Sequence, residues 1–239
     1  MKYRLFLLNN HYCMIHYPEK PNGFGVLILG DKDQYVDENG SNWMNNENKS
    51  LILQSLLQKG YLLFYPDLSF NHLGNDEAIE LAKMIYEYVK RREIMNHQIH
   101  IISEGVGALL LPSFLADKQR YVRSILFINP VFSLDLLKEQ VKDQPFLYRK
   151  FIQDVREAYN LNEEEWERII NDRKRKIVHF DLPFMIVHIL QHGMKDEKWI
   201  KNYKKLFGET EQIHVLLPEK RHALNKYAID LFKKAEHDL

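Results

Sequence analysis

The run His100-Ile101-Ile102-Ser103-Glu104-Gly105-Val106-Gly107-Ala108-Leu109 carries the densest chemical signal in the chain. It passes from an apolar stretch through a turn of small residues into a helical pattern. A turn built this way holds one residue in strained geometry at a helix N-terminus. There its side chain can attack, and backbone N–H groups can stabilise the oxyanion that forms. The chemistry on offer is acyl transfer from an activated hydroxyl. Two registers fit. With 99–102 as the strand, the turn reads Ser103-Glu104-Gly105-Val106-Gly107. The attacking position is then Gly105, which has no side chain, and the backbone donor is the N–H of Val106. Shifted by two, the attacking position is Ser103. That register puts Ile101 where a small residue is wanted, and makes the polar His97-Gln98-Ile99-His100 a central strand. Glu104, at the turn itself, is a candidate general base, an ion-pair partner or a solvated rim charge.

Other reactive side chains have plainer readings. His188 and His192 are spaced i, i+4, but they fall across a strand and the loop after it rather than along a helix, so they are not read as metal ligands. Cys13, in a hairpin, is a packed thiol. Trp43, Trp166 and Trp199 are amphipathic anchors that can line a pocket. The run Arg173 to Lys176 follows the acidic Glu163 to Glu165, a compensated pattern typical of a solvated helix face.

The elements that must position the turn are short apolar runs at 3–8, 11–17, 24–29, 61–65, 99–102, 122–128, 184–190 and 213–217. These predict eight strands. Asn9-Asn10 joins the first two as a tight hairpin. Helical patterns occupy 48–59, 76–92, 107–116, 197–207 and 224–236. The helix over 76–92 has Asn75 or Asp76 as its cap and Lys90-Arg91-Arg92 at its C-terminus. Apolar strands alternating with amphipathic helices predict a mostly parallel sheet covered on both faces, with the hairpin at one edge. Residues 134–180 interrupt the rhythm with charged helical sequence. Asn162 and Glu165 there resemble a capping box. The segment reads as an insertion over one end of the sheet, acting as a lid or as plain crossover helices.

With these landmarks the chain resembles the α/β-hydrolase superfamily, of esterase, dienelactone-hydrolase and peptidase type, over nearly its whole length. The resemblance implies the α/β-hydrolase fold: an eight-stranded mostly parallel sheet, helices on both faces and a small helical insertion after the sixth strand. The seventh strand is followed by Gln191-His192-Gly193-Met194-Lys195-Asp196, similar to the family's loop for the triad acid. The eighth is followed by Lys220-Arg221-His222-Ala223, similar to the loop for the catalytic histidine. The resemblance thus implies a triad of Ser103, His222 and Asp196 in the shifted register, and an empty nucleophile position in the other. As bland readings, His222 is a surface histidine and Asp196 an N-cap for a helix starting near Glu197. The second oxyanion donor is implied to come from Leu29-Gly30-Asp31-Lys32-Asp33. The glycine is kept, but Asp31 and Asp33 would repel a developing anion unless Lys32 offsets them.

Composition narrows the classes. Lys plus Arg and Asp plus Glu each total 33, for a formal net charge of zero, so no basic balance points to nucleic acid. One cysteine excludes an intramolecular disulfide, and no apolar run reaches membrane-spanning length. The expectation is one cytoplasmic domain over 1–239 with no cofactor and no metal. It binds a small molecule, an acyl substrate or a partner protein, and nothing in the pattern specifies an oligomeric state. It is either a binding relative of the carboxylic-ester hydrolases that lacks their serine, or a working serine hydrolase through Ser103. Acid–base chemistry by His222 or Glu104 without a covalent intermediate is a third reading.

Overall fold

In the computed structural model, the described residues are 2–32, 34–69, 71–162, 165–173, 181–191, 195–208 and 211–236. The eight strands are β1 (Lys2–Leu8), β2 (His11–Tyr17), β3 (Gly25–Leu29), β4 (Leu62–Pro66), β5 (Ile99–Glu104), β6 (Val122–Ile128), β7 (Phe184–Ile189) and β8 (Ile213–Leu216). They form one sheet in the order β1-β2-β4-β3-β5-β6-β7-β8. The β1–β2 and β2–β4 pairs are antiparallel and the remaining pairs parallel. Asn9 and Asn10 make the β1–β2 turn with φ of 50° and 64°. A two-residue hairpin turn of that kind matches the twist of its strands.

Central strands β3, β4 and β6 are buried along their whole length, and β5 as far as Ser103, as strands covered on both faces must be. On one face, Leu27, Phe64, Ile101 and Ile125 meet α2 (Asp76–Arg92), α3 (Leu111–Lys118) and α7 (Lys195–Phe207). On the other, Ile28, Leu63, Ile102 and Leu126 meet α1 (Glu47–Gln58) and α8 (Leu224–Glu236). The N-cap of α2 is Asn75, whose Oδ1 accepts from Ala78 N at 2.9 Å. The expected helix over 107–116 starts as a tighter 3-10 turn, Gly105–Leu110, before α3.

The insertion folds as α4 (Leu134–Val141), α5 (Pro145–Tyr159) and α6 (Trp166–Arg173). Its end, 174–180, lies outside the described residues. The capping box is present in its side-chain half: Glu165 Oε2 accepts from Asn162 N at 3.1 Å. Leu134, Phe151, Val155 and Ile170 form a third apolar cluster with Leu73 and Val106, so these helices rest on the turn that follows β5. Two bonds tie α5 down: Tyr159 O–H to Leu73 O at 2.8 Å and Asn75 Nδ2 to Ala158 O at 2.9 Å.

Candidate functional site

β5 ends at Glu104, and Gly105 makes the turn with φ of +53°. That left-handed backbone is easy for glycine and costly for other residues. Two residues on, Gly107 packs against the carbonyls of Leu29 and Gly30 with no room for a Cβ. The geometry is thus the 99–104 register, with Gly105 at the turn. Ser103 is inside the strand, paired in register with Leu29 and Phe127. It is fully buried, and its Oγ has no hydrogen-bond partner among the described residues. Strand alternation puts it on the face of Ile99 and Ile101, whereas the helix that follows His222 packs on the opposite face.

The place a nucleophile's side chain would take is filled from across the sheet. A Cβ on Gly105 would overlap the Asp31 carboxyl itself, at Cγ and both oxygens. Asp31 Oδ1 accepts from Val106 N at 3.0 Å and from Lys32 N at 2.9 Å. The loop after β3 and the residue after the turn therefore each supply a backbone N–H, and both donors converge on a carboxylate the chain carries itself. Burial pushes the Asp31 carboxyl above the ordinary carboxylate range, and the two N–H groups, with Lys49 and Lys32, act against that shift. The expected contest between Asp31 and the Lys32 side chain resolves differently: Lys32 contributes its backbone N–H, and Asp31 is the bound anion. Behind it His72 is fully buried. It accepts from Gly74 N through Nδ1, so its Nε2–H faces Gly30 O at 3.3 Å and holds that loop. Asp33 lies outside the described residues.

Glu104 is not a free rim charge. Lys49 Nζ pairs with its Oε2 at 2.9 Å and Gln34 Nε2 donates to the same oxygen. Trp43 Nε1 in turn donates to Gln34 Oε1 at 2.5 Å, and the Lys49 ammonium lies 5.5 Å from the Trp43 ring centroid. Burial raises the Glu104 carboxyl, Lys49 lowers it and the neighbouring Asp31 raises it again.

The two residues placed after β7 and β8 are not joined. Asp196, in the first turn of α7, is buried; its Oδ1 meets His188 Nε2 at 2.8 Å and its Oδ2 accepts from Gln191 N at 3.1 Å. It therefore faces back toward β7 instead of capping α7, which already includes Lys195. His188 is buried on β7, and its Nδ1 is 3.3 Å from Tyr203 Oη. His222 is exposed in a 3-10 turn, Pro218–Ala223, and among the described residues it forms no hydrogen bond or ion pair. His192 and Gly193 lie outside the described residues. Among the described residues no cluster of three His, Cys, Asp or Glu could hold a metal, and no helix is long and apolar enough to cross a membrane.

Beside Asp31 opens a cleft of about 200 Å³. Its walls include Glu104, Lys49, Asn129 and Arg221, with Ile52, Ile128, Ile189 and Leu224 as apolar patches. Asn129 is consumed by the fold: Nδ2 donates to Ile189 O at 3.1 Å and Oδ1 accepts from Ile189 N at 2.6 Å.

Sequence reasoning missed two partnerships here, Asp31 with the Val106 amide and His188 with Asp196. The available signals were a strand histidine that burial obliges to find a partner, and an acceptor directly after β3.

No protein-family profile and no curated protein matches this sequence. Among solved structures the chain is similar to Est1E from Butyrivibrio proteoclasticus, at 11% identity over 97% of this chain and 99% of that one, with a TM-score of 0.64. It is also similar to an α/β serine hydrolase homologue from Coxiella burnetii, at 13% identity over 96% of each chain and a TM-score of 0.56. α/β-hydrolase domain-containing protein 10 from mouse matches at 10% identity over 98% and 99%, with a TM-score of 0.58. With the strand order above, the chain has the α/β-hydrolase fold.

Proposed function

We propose that this chain is a cytoplasmic binding relative of the carboxylic-ester hydrolases that performs no serine-dependent acyl transfer. Asp31 carries the reading. Its carboxylate fills the volume of a nucleophile on Gly105 and takes up the Val106 and Lys32 N–H groups that would stabilise an oxyanion. Two further observations support it. Ser103 Oγ is buried and has no hydrogen-bond partner among the described residues, whereas a general base must lie within hydrogen-bond distance of the proton it takes. Asp196, which would orient His222, is engaged by His188 instead. What remains is a small polar cleft beside a filled turn. A site of that kind retains a ligand without a covalent step.

The test is labelling of the folded protein with a fluorophosphonate probe, followed by peptide mass mapping. The expected result is no adduct. An adduct on Ser103 would overturn the proposal and establish a serine hydrolase. Hydrolysis of p-nitrophenyl butyrate that is lost on Ser103→Ala would do the same.

A further inference from the structure

The charges around the cleft do not cancel pairwise. Glu104 and Lys49 neutralise each other at 2.9 Å, with Gln34 completing the Glu104 carboxylate. Two charged groups in the wall are left over. Asp31 spends Oδ1 on two N–H donors while its Oδ2 takes no hydrogen bond among the described residues. Arg221 forms no ion pair among the described residues, and its Nε is buried with no hydrogen-bond partner. A guanidinium in the cleft wall with no carboxylate partner is open to an anionic ligand group.

From this imbalance we infer that the cleft binds a small apolar α-amino acid as its zwitterion. The ligand carboxylate pairs with Arg221, the ammonium with Asp31, and the side chain lies on Ile52, Ile128, Ile189 and Leu224. A ligand bearing only a carboxylate meets two obstacles. The backbone donors that could hold it are taken by Asp31, and the Asp31 carboxylate repels it. A ligand bearing only an ammonium meets the unpaired charge of Arg221. The volume, about 200 Å³, is below that of sites for drug-sized ligands and suits a molecule of few heavy atoms. Guanidinium is the side chain best shaped for two-point capture of a carboxylate.

The inference rests on the binding reading above, but its failure is separately visible. Calorimetric titration of the full chain with L-valine, isovalerate and isobutylamine compares the zwitterion with each half of its charge. L-Valine is expected to bind, with each single-charge analogue weaker by about tenfold or more, as the loss of one charge-assisted contact implies. Arg221→Gln and Asp31→Asn are each expected to weaken L-valine by a similar factor, and Arg221→Gln is expected not to weaken isobutylamine. Isovalerate binding as tightly as L-valine, no binding by L-valine, or full retention by Arg221→Gln would each overturn the inference. The absence of a fluorophosphonate adduct would still support the binding reading in those cases; an adduct on Ser103 would remove both.

Discussion

Adding one methyl group to the turn tests the Asp31 plug directly. Gly105→Ala introduces two costs. The residue holds φ of +53°, and a side chain in left-handed backbone costs about 1–2 kcal/mol. The new Cβ also lands on the Asp31 carboxyl, which must move and give up at least one of its bonds to Val106 N and Lys32 N. A hydrogen bond to a charged group contributes about 1.5–3 kcal/mol, so the total is about 3–5 kcal/mol. Asp31→Ala alone forfeits the carboxylate contacts, at about 1–3 kcal/mol. In the double variant nothing remains to collide with, so only the backbone strain adds to the Asp31 loss. The two changes should therefore be non-additive, with a coupling of about 2 kcal/mol. Urea unfolding followed by circular dichroism on the four proteins measures this. Additivity within about 0.5 kcal/mol would refute the placement of Asp31 in the nucleophile's volume.

Four further outcomes follow from named contacts. Burial lowers His72 to about 4, against an ordinary value near 6.5. The folded state thus prefers the neutral ring, so its contribution to stability is complete above about pH 6.5 and is lost as pH falls toward 4. In urea titrations across that window, His72→Gln should flatten the pH slope by about one proton relative to the parent; an unchanged slope would contradict the burial argument. Asn75→Ala removes the α2 cap and the bond to Ala158, at about 1–2 kcal/mol, and should speed amide exchange in α5 as well as at the start of α2. His188→Ala strands the buried Asp196 carboxylate and should cost about 3 kcal/mol in thermal unfolding. Gly105→Ser combined with Asp31→Ala supplies a hydroxyl and room for it, yet Asp196 stays with His188; no p-nitrophenyl butyrate hydrolysis above buffer is expected, and a burst would mean that His222 can act without that acid.

The strands and helices were legible because burial on both faces leaves a mark in the residues themselves. Runs such as Val26 to Leu29 and Ile125 to Ile128 are apolar without alternation, while 76–92 carries its apolar face at helical spacing. The turn was legible for the same reason: Gly107 has no space for a Cβ, and a small residue in that place is visible in any sequence. What could not be read locally were pairings between distant positions. Asp31 and Val106 meet because β3 and β5 are neighbours in the sheet, a consequence of strand order rather than of either segment alone. The expectation that Asp31 would repel an oxyanion had the charge right and the occupant wrong.

The physical rule behind the plug is general. Once the turn residue is glycine, the N–H groups of Val106 and Lys32 point into a space with no side chain to fill it. Buried donors without acceptors are rarely tolerated, and an unfilled volume forfeits its packing contacts. The loop after β3 is the nearest segment able to supply both an acceptor and bulk, and Asp31 is the first residue of that loop with a side-chain oxygen. His72 then secures the carbonyl just before it. The same carboxylate that takes up the two N–H groups also lines the cleft, as does Arg221, which has no ion pair among the described residues. The filling of the space beside Gly105 and the charge that Asp31 brings to the cleft wall are therefore one structural feature, read from its two sides.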